Sequence, residues 1–148
     1  MKLLVDRWLG HFVTTLMGVL VLDVVWQVFS RFVLQDPSTF TEELARYLLI
    51  WLGLFGAAYA AGQGKHLSVD LLGTATTRAR AARIAELVFG LVLIVGGARL
   101  VFIQLSLGQT SAALAIPLGI VYLAAPAAGL LFVFYAAASW RRARSERT

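Results

Sequence analysis

Long apolar runs separated by short polar segments dominate this sequence. Four runs are long enough to cross the hydrocarbon core of a bilayer, which takes about 20 mostly apolar residues in helical form. They cover about residues 9–32, 42–62, 84–107 and 116–139. Because backbone groups in lipid must be hydrogen-bonded within the chain, the runs are predicted to be helices. The pattern predicts an all-α membrane protein with one transmembrane domain, residues 1–148, and four transmembrane helices.

The basic residues give the predicted bundle a direction. Ten Lys and Arg side chains lie before the first run, between the second and third, and after the fourth, whereas Arg31 and Arg46 alone flank the first connection. Lys and Arg concentrate on the cytoplasmic side of membrane proteins, so the N- and C-termini are both expected to be cytoplasmic. Charges that flank apolar runs, despite a net charge of +5, point to the lipid bilayer and not to nucleic acid as a partner.

The connection between the second and third runs, residues 63–83, is long for a small bundle and contains several apolar residues. We expect residues 69–77 to include a short amphipathic segment at the interface, on the cytoplasmic membrane surface. An ordinary loop is the alternative. The sequence has no internal repeat of the kind found in inverted-repeat transporters, which argues against substrate transport by this chain alone.

Two charged residues, Asp23 and Arg99, fall inside predicted spans, where an unpaired charge is costly. Each lies about 21–22 Å from the cytoplasmic edge at 1.5 Å per residue, so we predict an intramembrane ion pair that joins the first helix to the third. A proton or sodium site at Asp23, or a contact with a partner protein, is the alternative. Three more residues extend a polar stripe that should face protein: Gln27, Ser30 and Arg31.

Small residues mark one face of the second helix, as is typical of close helix packing in lipid. They are Gly53, Ala57, Ala60 and Gly64. Thr41 is predicted to cap the N-terminus of this helix, and Glu42 to pair with Arg46 one turn later.

Two prolines shape the prediction for the last helix. Pro117 should mark its beginning, and Pro126 lies inside it, where a proline removes a main-chain hydrogen bond. We therefore predict a bend near Pro126, interpreted as a feature of packing, with a gating role as the alternative.

Side chains suited to chemistry are few. The sequence contains no nucleophile with its base, no pair of catalytic carboxylates and no glycine-rich phosphate loop, so an enzyme is not expected. It has no cysteine and therefore no thiolate metal site. His11 and His66 both lie near helix ends, which makes a bis-histidine haem an unfavourable interpretation. No cofactor is predicted, and a cofactor-bearing membrane anchor is kept only as a third class of function.

Several short motifs run through the chain. The central ones are Arg31-Phe32, Pro37, Thr41-Glu42-Glu43-Leu44-Ala45-Arg46, Trp51, Gly56-Ala57, Lys65-His66 and Val69-Asp70-Leu71, and the later ones are Thr110, Ile116-Pro117-Leu118, Tyr122, Pro126 and Gly129. In these motifs the sequence resembles the small membrane subunit, or Q subunit (DctQ-like), of tripartite ATP-independent periplasmic (TRAP) transporters. Phe40 is a departure, since the family commonly has tryptophan there. The resemblance singles out an interfacial motif of Glu42, Glu43, Arg46, His66 and Asp70.

The resemblance implies a non-catalytic scaffold in the bacterial cell inner membrane. Its partners would be a large membrane (M) subunit, which carries out sodium-coupled uptake of organic acids and holds the sodium sites, and a periplasmic substrate-binding (P) protein. Gln35, Asp36 and Ser38 in the first connection would be possible contacts with the binding protein. The alternative is a stand-alone four-helix small-molecule exporter, but Arg99 opposite the membrane acid would obstruct a cationic substrate.

Overall fold

The computed structural model describes residues 2–36, 38–63 and 75–145, and the side chains of residues 2–36, 38–63 and 80–140. The regular elements of these ranges are α1 (Lys2–Phe29), a π-helical segment (Ser30–Leu34), α2 (Thr39–Gly62), α3 (Ala75–Ser106), α4 (Leu118–Tyr122) and α5 (Ala124–Ser145). Four of the helical stretches, Lys2–Leu34, Thr39–Gly62, Arg80–Ser106 and Leu118–Trp140, are long and apolar enough to span a membrane. The prediction of four membrane helices is confirmed.

The helices extend beyond the apolar runs that predicted them. α1 begins at Lys2, and α3 begins at Ala75, well before residue 84. Hydropathy marks where a helix enters lipid, whereas the helix itself continues through Lys, Arg and Ala, which are good helix formers.

The last span is divided into two helices at Leu123. Pro117 stands directly before α4, and Pro126 lies in the first turn of α5. Because Pro126 has no main-chain N–H to donate to the carbonyl of Tyr122, the hydrogen-bond ladder is interrupted between α4 and α5.

The spans are arranged so that α2 and α5 lie in the centre, with α1 packed mainly on α2 and α3 packed mainly on α5 and α4. Alanine and aromatic side chains make up the buried contacts: Ala58 and Ala61 of α2 meet Phe132 of α5, and Leu9 of α1 packs with Phe55. In lipid, where burial of apolar groups gives no advantage between helices, such small residues favour association because they let backbones approach.

The main chains of α3 and α5 approach each other closely at three glycines. A Cβ atom added at Gly90 would lie 2.9 Å from the main-chain oxygen of Gly129, and one added at Gly129 would lie 2.7 Å from the oxygen of Gly90. At Gly97 an added Cβ would lie 2.6 Å from the ring of Pro126. These three glycines therefore set the distance between α3 and α5.

The small-residue face predicted on α2 is not the face that packs most closely. Gly53 is exposed, and a Cβ atom there would have no neighbour within 4 Å. Ala57 and Ala60 are half-buried, and Gly64 lies outside the described residues. Buried positions follow a neighbouring line along the helix, at Ala58, Ala61 and Gly62. One residue corresponds to about 100° around a helix, so a shift of one position changes the face that is predicted to pack.

Candidate functional site

Polar side chains collect at one end of the bundle, which we call the loop end, formed by Gln35, Asp36, Ser38 and residues 107–117. α2 begins here. Its N-cap residue is Ser38, and Thr41 donates a hydrogen bond from its hydroxyl to the Ser38 carbonyl at 3.0 Å. The prediction that Thr41 is the N-cap was wrong, because the helix starts at Thr39 and its cap lies three residues earlier, at Ser38.

Glu43 holds the loop that connects α3 to α4. Its carboxylate accepts hydrogen bonds from the main-chain N–H groups of Ala112 (3.2 Å), Ala113 (2.7 Å) and Leu114 (2.9 Å). It also accepts one from the Ser111 hydroxyl at 2.8 Å. Four donors from one loop thus converge on a single carboxylate of α2, a strong arrangement because the acceptor is charged.

The loop is folded so that its tip presents these donors. The N–H of Leu118 donates to the carbonyl of Gln109 at 3.0 Å, and that of Ser111 donates to Ile116 at 2.9 Å, which brings the two arms of the loop side by side. Ala115 then adopts a left-handed conformation with φ of 52° and closes the turn. Successive N–H groups that point inward from such a turn form a concave anion site, and the Glu43 carboxylate occupies it.

The same face of α2 carries two further polar contacts, one within the helix and one to α4. Tyr47, one turn after Glu43, donates its hydroxyl to the Glu43 carboxylate at 2.7 Å. Trp51, another turn on, donates its indole N–H to the main-chain carbonyl of Val121 in α4 at 3.0 Å. Glu43, Tyr47 and Trp51 therefore form one line of polar contacts, in which Glu43 fastens α2 to the 107–117 loop and Trp51 fastens it to α4.

Glu43 belongs to the predicted interfacial motif but had no predicted partner, and Tyr47 had no predicted role. The signal that was missed is the spacing of residues 43, 47 and 51, which places three side chains with polar atoms on one face of an otherwise apolar helix.

The predicted polar stripe of α1 meets α2. Asp23 is buried, with 7% of its surface exposed, and it accepts a hydrogen bond from the side-chain amide of Gln27 at 2.9 Å. The same amide donates to the main-chain carbonyl of Thr41 at 2.9 Å. Ser30, also buried, donates its hydroxyl to the Gln27 carbonyl at 3.1 Å. Gln27 therefore bridges the buried acid of α1 to the first turn of α2.

Arg31 completes this stripe within the π-helical segment. Its guanidinium lies 3.2 Å from the Glu42 carboxylate, and both side chains are exposed. Glu42 thus pairs with the neighbouring helix and not with Arg46, the partner predicted for it, which is exposed on α2. An exposed pair contributes little to stability in water.

The predicted ion pair between Asp23 and Arg99 is not formed within the part of the chain that the structure describes. Asp23 is hydrogen-bonded to Gln27, and Arg99 is exposed on α3. α1 and α3 lie on opposite flanks of the bundle, separated by α2 and α5. The two residues share a depth in the membrane, but equal depth does not make their helices neighbours.

The remaining predicted site residues are divided between the surface and the undescribed range. Gln35 and Asp36 are exposed at the end of the π-helical segment, where Gln35 has a φ of 55° and ends the helix. Ser38 is half-buried as the cap of α2. His66 and Asp70 lie outside the described residues.

Two open cavities flank the polar contacts. One of about 100 Å³ lies between α1 and α2 beside Arg31 and Glu42. The other, about 210 Å³, is apolar and lies between Leu16 of α1, Trp51 of α2 and Ile120 of α4. In residues 2–36, 38–63 and 80–140 no three His, Asp or Glu side chains lie close enough together to hold a metal ion.

Replacing Gln27 by leucine is expected to destabilise the bundle by about 1–3 kcal/mol, because it leaves the buried Asp23 carboxylate and the Thr41 carbonyl without their shared donor. Unfolding of the purified protein by SDS would measure the loss. Gln104→Leu is the matched control, since the side-chain oxygen of Gln104 is buried without a hydrogen-bond partner. Equal losses in the two variants would contradict the bridging role of Gln27.

The chain matches the model of a known family over residues 8–146, a family described as "Tripartite ATP-independent periplasmic transporters, DctQ component". It is 28% identical over 138 residues to a "Putative TRAP transporter small permease protein" of Haemophilus influenzae, covering 84% of this chain and 85% of that protein. It is also 39% identical over 54 residues to the "Sialic acid TRAP transporter small permease protein SiaQ" of Vibrio cholerae. That second match covers 36% of this chain and about a third of the relative's length, 31%.

Proposed function

We propose, because the chain belongs to the family of DctQ components of tripartite ATP-independent periplasmic transporters, that it is a non-catalytic scaffold for a large membrane subunit. In this proposal the large subunit moves the substrate, and a periplasmic binding protein delivers it. The chain described here is the stationary side of that assembly in the bacterial inner membrane.

The observation that carries the scaffold role is the use of the polar groups inside the bundle. Asp23 and Gln27 join α1 to α2, and Glu43 and Trp51 join α2 to the 107–117 loop and α4. A subunit that carried a polar substrate would need such groups free to bind it and then release it. Here they are engaged in holding helices together, which favours a rigid frame.

The expected orientation follows from the distribution of charge. Ten Lys and Arg residues belong to the side with both termini, and Arg31 and Arg46 belong to the loop end. By the positive-inside rule we place both termini in the cytoplasm and the loop end in the periplasm. The interfacial segment expected within residues 69–77 would lie on the cytoplasmic surface. The loop end, with Asp36 exposed on it, would then face the binding protein.

Sodium coupling and an organic acid as substrate are proposed for the large subunit and not for this chain. The V. cholerae relative is named for sialic acid, which is a carboxylic acid. We infer an acid substrate for the assembly at the level of its chemical class only.

Reconstitution tests the proposal directly. The chain is expressed with the large subunit of a TRAP transporter from the same organism, purified through a tag on this chain alone, and placed in liposomes with the binding protein outside. We expect the large subunit to co-purify, and uptake of a labelled organic acid to require an inward sodium gradient and all three proteins. Uptake by liposomes that contain this chain alone would overturn the scaffold role and favour an exporter-like protein.

A further inference from the structure

One side of α3 is uncovered in this chain and carries a charge in the middle of apolar residues. Val88, Val92, Val95 and Phe102 are 53%, 62%, 69% and 72% exposed, and Arg99 lies on the same line. The spacing of four, three, four and three residues keeps all five on one face of a helix. We call these five residues the α3 outer face. It lies opposite Gly90 and Gly97, which pack on α5.

The Arg99 side chain is poorly placed to reach the lipid headgroups, which is how an arginine in a membrane helix usually keeps its charge in a polar environment. It lies seven residues before the end of α3 at Ser106, about 10 Å at 1.5 Å per residue, and farther from the other end of the span at Arg80. Helical side chains lean toward the N-terminus of their helix, so the Arg99 side chain starts out toward the centre of the span and away from its nearer end. A guanidinium in that position is costly unless an anion meets it.

The described part of the chain offers no anion to Arg99. Asp23 is hydrogen-bonded to Gln27 on the opposite flank, and Glu42 and Glu43 are engaged at the loop end. Asp6 accepts a hydrogen bond from Tyr135, and Asp36 is exposed at the loop end. Glu86 lies thirteen residues before Arg99 on the same helix, about 20 Å away along its axis. A second copy of the chain is a poor occupant of this face, because a symmetric contact would bring two Arg99 guanidinium groups together. The occupant must therefore be a different chain that carries a negative charge at this depth.

We infer that the α3 outer face docks against a transmembrane helix of the large subunit that presents an aspartate or glutamate level with Arg99. The inference rests on the proposed function and adds the surface and the chemistry of the contact. The valines and Phe102 supply the packing, and the ion pair fixes the register between the two helices, as single polar residues do in apolar helix interfaces.

Site-directed cross-linking tests the surface. Because this chain has no native cysteine, a single introduced cysteine places the label at one chosen position of it. Single-cysteine variants Val95→Cys and Phe102→Cys are labelled with a benzophenone maleimide in membranes that contain the large subunit, then irradiated. Val25→Cys is the matched control, since Val25 of α1 is 61% exposed and equally apolar. We expect adducts with the large subunit from positions 95 and 102 and none from position 25.

The alternatives give different patterns. Adducts from position 25 but not from 95 or 102, or self-adducts from 95, would overturn the inference while the complex, and with it the proposed function, stands. If the native chain does not co-purify with the large subunit at all, the proposed function fails first.

Charge variants test the chemistry. Arg99→Glu is expected to weaken the complex at least about tenfold, whereas Arg99→Lys retains it, because an unpaired charge in an interface is strongly unfavourable. Arg80→Glu, on the same helix, is the control for a change of charge alone. In a rescue experiment, replacing the partner acid of the large subunit by arginine should restore the complex with Arg99→Glu. Native affinity in Arg99→Glu would overturn the ion pair.

Discussion

Replacing Glu43 by glutamine is expected to release the 107–117 loop from α2. The carboxylate accepts bonds through both oxygens: one oxygen accepts from the Tyr47 hydroxyl and the Ala112 N–H. The other accepts from the Ser111 hydroxyl and from the N–H groups of Ala113 and Leu114. A glutamine side chain keeps only one acceptor oxygen, and its NH₂ group would face a donor in place of the other. The substitution keeps the size of the side chain but removes the charged acceptor to which the loop donates its hydrogen bonds.

Amide hydrogen exchange measures the release. The N–H groups of residues 112–114 should exchange at least about tenfold faster in Glu43→Gln than in the native chain, because local opening no longer breaks bonds to a charged acceptor. The purified variant should also unfold at a lower temperature. Glu42→Gln is the matched control, since Glu42 is exposed and pairs with Arg31 alone. Equal exchange at residues 112–114 in the native chain and Glu43→Gln would show that the carboxylate does not hold the loop.

The consequence for the assembly depends on orientation. If the loop end faces the binding protein, as proposed, Glu43→Gln should impair binding-protein-dependent uptake while the large subunit still co-purifies. The α3 outer face lies on the far side of the bundle from α2, so docking of the large subunit and order at the loop end are separable properties of the chain.

The four spans could be predicted from the sequence because lipid imposes a simple rule on length and hydropathy. Side-chain partners could not, and Asp23 shows why. Its position in the chain gives its depth in the membrane, but its neighbours depend on which helices touch. The order of packing, with α1 and α3 on opposite flanks, is decided by small differences in fit that no single helix reveals.

Glu43 shows a second limit. The sequence motif marked it as unusual, yet three of its four loop partners are main-chain N–H groups of Ala112, Ala113 and Leu114. Backbone donors have no residue-type signature, and the turn that gathers them closes at Ala115 in a left-handed conformation where glycine would be the expected marker. A tertiary contact of this kind is visible only when the loop is folded.

Replacing Gly129 by alanine is expected to separate α3 from α5 and to destabilise the bundle by about 1–3 kcal/mol. The added methyl group would lie 2.7 Å from the main-chain oxygen of Gly90 and 2.9 Å from the main-chain nitrogen of Ile94. Neither atom can rotate away as a side chain could, so the whole helix must move. In a helix interior, alanine is more favourable than glycine by about 1 kcal/mol. The clash must therefore exceed this gain in helix propensity before Gly129→Ala loses stability.

Two other glycines in helices serve as controls that separate the steric clash from the gain in helix propensity. Gly96 lies on α3 beside Gly97, and Gly53 lies on the α2 face predicted to pack, yet a Cβ atom at either would have no neighbour within 4 Å. Gly96→Ala and Gly53→Ala should therefore be neutral or stabilising in SDS unfolding, while Gly129→Ala and Gly97→Ala lose stability. If Gly53→Ala were the damaging variant, the small-residue face predicted from the sequence would be the one that packs. α5 packs on the side of α3 opposite the α3 outer face. Gly129→Ala should therefore also weaken docking through that face, even though Gly129 is not part of it.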